Sequence, residues 1–351
     1  VLTMFGMVLA IGIIVDDAIA VTGGRNIADT YFGVRPDQNF RDLDLTMAGP
    51  VVQDLSAGFD RFWNSKWAIP VGAVVAEKAS AEEFAKRRAQ LSRNVAEAGF
   101  PFAVDEKIDK LRRDLTLLRD AFTWAPGHAL VEDPARVNND AGSLVITDAI
   151  VDRLGHTHKE VLIESPYFIL LDRGVDMMKA LTARGVTVRV LTNSAATNDV
   201  LAAHAGYANT REALLEAGVD LYELRPDSNM KRAWSLAAGK SRSALHSKAM
   251  VFDRETVFVG SFNLDPRSRF INTEIGVMID SPALAAELAA FMDEGVAPGS
   301  AFRLSLDAQG DIVWSAETNG AKVTYDTDPG TSAWRRFLID VVGLLPIDEQ
   351  L

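Results

Sequence analysis

A histidine and a lysine two positions apart are followed at fixed spacing by an aspartate and a small-residue cluster. The pattern is His246-x-Lys248-x4-Asp253-x6-Gly260-Ser261-x-Asn263. Side chains of an extended segment alternate between faces, so His246 and Lys248 point one way and Ser247 and Ala249 the other. An imidazole beside an ammonium suits a phosphate ester. Lys248 neutralises the non-bridging oxygens, while His246 attacks phosphorus or protonates the leaving oxygen. Gly260 and Ser261 let backbone and a hydroxyl approach the phosphate closely, and Asn263 adds an amide donor. Asp253 completes the catalytic motif, but five residues beyond Lys248 is too far along a strand to reach the same phosphate. Its expected part is to fix a turn or to support the site from behind.

The elements that must hold these residues are short strands. AMVFD (249–253) and TVFVGSF (256–262) read as a pair, and the region 146–305 alternates strand and helix patterns. EVLIESPYFIL (160–170), VTVRVLTN (186–193) and VDLYEL (219–224) are strands. VDMMKALTARG (175–185) and DVLAAHAGYANTREALLEAG (199–218) are helices closed by glycine. Helix–Gly–strand repetition implies an α/β sheet covered by helices. Residues 64–145 read as a helical insertion, with apolar spacings of three and four in 81–99 and 105–122. In the tail, 306–351, an Asn319-Gly320 hairpin precedes an amphipathic helix near 334–343.

Part of the motif occurs twice. Asp16-x6-Gly23-Gly24-x-Asn26 repeats as Asp253-x6-Gly260-Ser261-x-Asn263 at a constant offset of 237 residues. After a five-residue change of register around Val34 to Asn39, Asp42, Pro50 and Phe59 match Glu274, Pro282 and Phe291. A duplicated α/β half explains this. Gly23, Gly24 and Asn26 are then phosphate-site counterparts of Gly260, Ser261 and Asn263. Asp16 and Glu274 become supporting carboxylates, Glu274 either behind an active-site histidine or lysine or as a solvated or structural carboxylate.

With the repeat, this motif is similar to the signature of the phospholipase D superfamily. GGRNIADTYFG (23–33), FRDLDLTMAGPVVQDLSAGFDRFWNS (40–65), ESPYF (164–168), HAGYANTREALLEAGVDLYEL (204–224) and LLPIDEQL (344–351) resemble bacterial cardiolipin synthases. The resemblance implies a phospholipase D-like fold, with two motifs meeting at a pseudo-twofold axis in one metal-free site. It implies one histidine that becomes a phosphohistidine and another that protonates the leaving alcohol. A phosphatidyl group then passes to water or to a lipid hydroxyl. It further implies a phospholipid substrate, no cofactor, a membrane surface as partner and a place at the bacterial inner membrane, on its cytoplasmic or periplasmic face.

The first copy departs from this pattern. Its histidine and lysine fall at positions 9 and 11, which hold Leu9 and Ile11. Residues 2–21 instead resemble a transmembrane helix of resistance-nodulation-division efflux pumps, so 1–22 reads as an apolar segment replacing the start of the first motif. The expected chain has one complete half (146–305) and one N-terminally truncated half (23–63). In many superfamily members the first histidine is the nucleophile, which makes His246 the general acid and the chain impaired. Two alternatives follow: an inactive chimeric fragment, or a single-motif enzyme that works as a homodimer.

Composition narrows the field. The 351 residues include no cysteine, which removes thiol catalysis and disulfides, and 48% are hydrophobic, enough for a real core. The net charge of −12 disfavours nucleic acid as a partner. No His, Asp or Glu cluster has metal-ligand spacing, and no glycine-rich run precedes a Lys-Ser/Thr helix start. His204 and Tyr207 read as structural, His156 and His158 as loop residues, and the six tryptophans as core packing with membrane contact as the second reading.

Overall fold

The computed structural model describes residues 12–33, 35, 37–74, 80–97, 122–138, 144–228 and 242–345. Leu9, Ile11, most of the expected helix 105–122, Trp234 and the closing residues 346–351 lie outside them. Two compact units are present, Phe62–Trp124 and the remainder. The smaller contains the helices Val71–Val74 and Ala81–Glu97. Ser80 and Glu83 start the longer helix as a reciprocal cap: each side chain takes the other's backbone N–H, at 3.2 and 3.1 Å.

The rest is built on a ten-stranded mixed sheet, ordered β15 (Ala321–Tyr325), β14 (Ile312–Thr318), β13 (Ala301–Leu306), β8 (Asp220–Leu224), β7 (Thr187–Asn193), β6 (Glu160–Glu164), β10 (Ala249–Phe252), β11 (Thr256–Gly260), β12 (Ile275–Asp280) and β5 (Gly127–Val131). Its centre is β6 (Glu160–Glu164), β7 (Thr187–Asn193) and β8 (Asp220–Leu224), which run parallel. β10 (Ala249–Phe252), β11 (Thr256–Gly260) and β12 (Ile275–Asp280) continue it antiparallel. Alternate residues feed two cores, as a sheet covered on both faces requires. Val161, Ile163, Val188, Val190, Met250 and Phe252 face helices 145–155, 172–183 and 211–216. Leu162, Ala249, Val251, Val257 and Val259 face the helix Pro282–Gly295. This is the expected α/β sheet flanked by helices.

Several boundaries differ from the sequence reading. The strand read over 160–170 stops at Glu164, because Pro166 cannot donate to the ladder. The helix read over 199–218 is two, Leu201–Ala208 and Arg211–Glu216. β5 (Gly127–Val131), inside the region read as insertion, pairs with β12 at the sheet edge. The tail folds as read: β14 (Ile312–Thr318) and β15 (Ala321–Tyr325) join through Asn319 and Gly320, both at positive φ, before the helix Ala333–Gly343.

The sequence repeat is also a structural one. β1 (Gly12–Val15) and β2 (Ile19–Gly23) form a hairpin whose bounds reproduce β10 and β11 at the offset of 237. Asp16 and Asp17 turn it at φ 49° and 52°, as Asp253 and Arg254 turn its twin at 52° and 56°. The helix Pro50–Trp63 starts and ends 232 residues before the helix Pro282–Gly295. Residues 12–15 and 19–21 are thus strand, although their sequence resembles a membrane helix. Among the described residues no helix is long and apolar enough to cross a membrane. β2 pairs with β4 (Asp44–Ala48), and Ala20, Met47, Val52 and Leu55 pack against Val277 of the large sheet.

Candidate active site

One small pairing places the site. β3 (Gln38–Arg41) of the first half lies parallel to β9 (Arg242–Leu245) of the second, with Arg41 opposite Leu245. The Arg41 carbonyl accepts the N–H groups of His246 and Ser247, at 2.8 and 3.1 Å. The next residues on each strand, Asp42 and His246, are thereby brought side by side. Behind them Arg41 pairs with buried Glu164 at 3.0 Å, and Ser247 donates to the same carboxylate. Ser247 points away from its neighbours, which leaves His246 and Lys248 on the open side.

His246 Nδ1 bonds Asp42 Oδ2 at 2.9 Å, and both side chains are nearly buried. The Lys248 ammonium lies 3.1 and 3.2 Å from the two ring nitrogens and donates to the His246 carbonyl at 2.8 Å. Tyr31 sets its hydroxyl 3.3 Å from Nε2 and its ring edge-on to the imidazole. Asn26 donates to that hydroxyl at 3.1 Å. Phe40 packs on both rings, at centroid distances of 4.8 and 5.1 Å.

Burial, and then the Lys248 charge, lower the His246 pKa below its ordinary 6.5 despite Asp42. Burial brings Lys248 down to about 8, so it remains protonated near neutral pH. The outcome is a neutral imidazole with Nδ1–H directed at Asp42, a lone pair on Nε2 and a cation alongside. That arrangement can attack phosphorus or take a proton there, while Lys248 holds non-bridging oxygens.

The second half supplies the mirror-related parts. Glu274, counterpart of Asp42, is buried and accepts from Ser261 and from Asn272, the latter at 3.0 Å. Burial raises its pKa to about 7 against these bonds. Asp265 lies nearby, pushed up to about 6 by burial, and caps the turn Pro266–Phe270. By the repeat offset, the first-half counterpart of His246 is Leu9, which lies outside the described residues. Asn26 and Asn263 each have a buried Oδ1 without a hydrogen-bond partner among the described residues.

Other residues singled out from the sequence take scaffold positions. The Asp253 carboxylate accepts backbone N–H groups of His158, Lys159 and Glu160 at 2.9, 2.7 and 3.0 Å, at the far end of β10 from His246. It is therefore outside the catalytic group and acts on the turn. Asp16 also sits in its turn, at the opposite end of β2 from Gly24, which approaches the His246 carbonyl. A Cβ on Gly260 would lie 2.4 Å from the Ile275 carbonyl, and one on Gly23 2.2 Å from that of Leu43, so these glycines admit a neighbouring strand. Gly24 lets the His246 carbonyl approach, with 2.6 Å to a Cβ there. The Ser261 hydroxyl is engaged by Glu274 and by Ile275 N–H, the latter at 3.0 Å. His204 and Tyr207 lie apart, in a buried polar cluster with Glu223 and Asp328. His156 bonds its own helix. Of the tryptophans, Trp314 is core, whereas Trp63, Trp124 and Trp334 are exposed; packing does not account for these three.

Sequence reasoning missed Asp42 and Tyr31. The repeat pairs Asp42 with Glu274, and the role given to Glu274 applied equally to its mate. Tyr31 stands inside the quoted GGRNIADTYFG. Also missed was Asp199, whose charge acts on His246 and Lys248 and which accepts from Tyr167 at 2.9 Å.

Comparison with known proteins bears on the family and the fold. A family profile described as cardiolipin synthase, phospholipase D-like domain, matches residues 150–295. Cardiolipin synthase C of Escherichia coli (strain K12) is 32% identical over 347 residues, covering 95% of this chain and 71% of that protein. Cardiolipin synthase A of Pseudomonas aeruginosa (strain LESB58) is 24% identical over 292 residues, 83% of this chain and 46% of that protein. The phosphatidylserine synthase structure from Haemophilus influenzae Rd KW20 shares the fold, with a TM-score of 0.51 at 16% identity over 83% of this chain and 61% of that one.

Proposed function

Because the chain belongs to the cardiolipin synthases of the phospholipase D superfamily, enzymes of phosphatidyl transfer and phosphodiester cleavage, we propose that it passes a phosphatidyl group through His246. The acceptor is a lipid hydroxyl or water. The observation that carries the reading is the bond from His246 Nδ1 to Asp42 with Lys248 alongside. With Nδ1–H held by Asp42, the lone pair falls on Nε2, as a nucleophile requires.

In this scheme Nε2 attacks phosphorus, the bond from phosphorus to the leaving alcohol breaks, and the electron pair departs on oxygen. Lys248 and the Asn26 and Asn263 amides hold the non-bridging oxygens. Water or a lipid hydroxyl then displaces the histidine and cleaves the P–N bond. The lowered His246 pKa favours this nucleophilic part over the general-acid part expected from the sequence. The leaving oxygen still needs a proton, and the position from which the family resemblance would deliver it is Leu9. Turnover of lipid substrates is therefore slow.

The test is transfer from a labelled phosphatidyl donor, with the Leu9→His/Ile11→Lys variant beside the parent. Faster transfer in that variant, acid-labile label on the protein, and loss of both with His246→Ala support the reading. Undiminished transfer in His246→Ala overturns it.

A further inference from the structure

We propose that the loops 24–33 and 261–272 form an apolar, arginine-bearing rim that seats the active site on an anionic phospholipid surface. The inference rests on the lipid-transfer reading and names how the site meets its substrate. Both loops begin within the paired Gly-x-x-Asn segments and are tied to the site by half-buried Tyr31 and buried Asn272. Tyr31 stands against His246 in the first, and Asn272 holds Glu274 in the second. Between these ties each loop leaves large apolar side chains in the open: Ile27 is 80% and Phe32 43% exposed, Phe270 40% and Ile271 43%. Apolar side chains grouped beside a catalytic site, rather than scattered singly, mark an interaction surface.

Charge selects the occupant. The Arg25 guanidinium lies 5.8 Å from the Phe32 ring centre, and Arg269 4.8 Å from that of Phe270. Arg25 is paired with Asp44. Arg267 is exposed, and neither Arg267 nor Arg269 makes an ion pair among the described residues. In a chain of net charge −12, the exposed Arg267 and half-buried Arg269, neither held in a salt bridge among the described residues, stand beside exposed aromatic and aliphatic groups and match a phosphate-rich interface. A second exposed aromatic pair, Trp334 stacked on Phe337, lacks this feature. Its neighbours Arg335 and Arg336 are spent on the carbonyls of Ala195, Asn198 and Thr331.

The experiment is flotation with phosphatidylcholine vesicles, with and without phosphatidylglycerol, beside turnover of a short-chain phospholipid kept monomeric. The triple variant Ile27→Ser/Phe270→Ser/Ile271→Ser is expected to lose about tenfold or more in vesicle affinity. Arg267→Gln is expected to weaken the preference for anionic vesicles. Turnover of the monomeric substrate and the melting temperature stay at parental values in both, and Trp334→Ser/Phe337→Ser binds vesicles like the parent. Undiminished binding by the triple variant, or a loss that follows Trp334 and Phe337 instead, overturns the rim. If the parent fails to turn over the monomeric substrate, the catalytic reading falls, and flotation alone decides the rim.

Discussion

Asp42 and His246 stand 204 residues apart in the chain and meet at 2.9 Å, one from each half of the duplication. The parallel register of β3 on β9 brings them together. The carboxylate fixes the tautomer and the ring direction, leaving Nε2 for the substrate.

Asp42→Asn and Asp42→Ala therefore act on chemistry rather than on binding. Each is expected to lower kcat on a phosphodiester by about 10²- to 10⁴-fold with little change in KM. Steady-state kinetics check this, and a change confined to KM would show that Asp42 does not orient the imidazole.

The pH profile should be bell-shaped. His246 must be neutral to attack, and burial with the Lys248 charge places its pKa below the ordinary 6.5, so the acid limb lies below that value. Lys248 must be charged, and its pKa near 8 sets the alkaline limb. A kcat/KM profile that stays level through the alkaline range would count against Lys248 as the phosphate cation.

Leaving groups should separate sharply. A nitrophenolate departs without a proton, whereas a glycerol alkoxide needs one, and Leu9 stands where the family resemblance would supply it. The parent is expected to cleave a nitrophenyl phosphodiester faster than an alkyl one, and Leu9→His/Ile11→Lys to narrow the gap. Equal rates on both in the parent would place a working general acid elsewhere in the chain.

Glu274 predicts a stability effect of defined sign. Burial holds its pKa near 7 in the folded protein, above its ordinary 4.5. Its contribution is fully present below the ordinary value and is lost as pH rises towards 7. Glu274→Gln removes that loss while keeping partners for Ser261 and Asn272, so it should stabilise by ~1–3 kcal/mol above neutrality and much less in acid. Denaturant melts at two pH values measure it; an equal effect at both would contradict the assignment.

Asp253→Ala removes acceptors for three backbone N–H groups and places alanine at φ 52°. A loss of about 1–3 kcal/mol is expected, with turnover per folded molecule unchanged. Activity lost without any change in melting would return Asp253 to the reacting group.

Much of this was legible in the chain because the constraints are local. Alternation fixed the common side of His246 and Lys248, and the repeat carried the hairpin, its aspartate turn and the following helix into the first half. What escaped was non-local. QNFR and RSAL, which become β3 and β9, carry no alternating pattern, so nothing local announced that Asp42 would meet His246. Tyr31 reaches the imidazole from a loop, where spacing has no meaning. The apolar run before Asp16 resembled a membrane helix, yet its described part, Gly12–Val15, pairs with β2 as an edge strand that leaves Ile13 and Val15 exposed, a pairing no local pattern announced.

The duplicated hairpin without its histidine has one more consequence. The first half donates Asp42, Tyr31 and Asn26 to an imidazole that belongs to the second, while holding leucine in its own corresponding place. It stands to its neighbour as a pseudoenzyme stands to the active partner it completes, with both joined in one polypeptide. Selection on the first half then falls on what it lends, and first on Asp42, whose bond holds the imidazole.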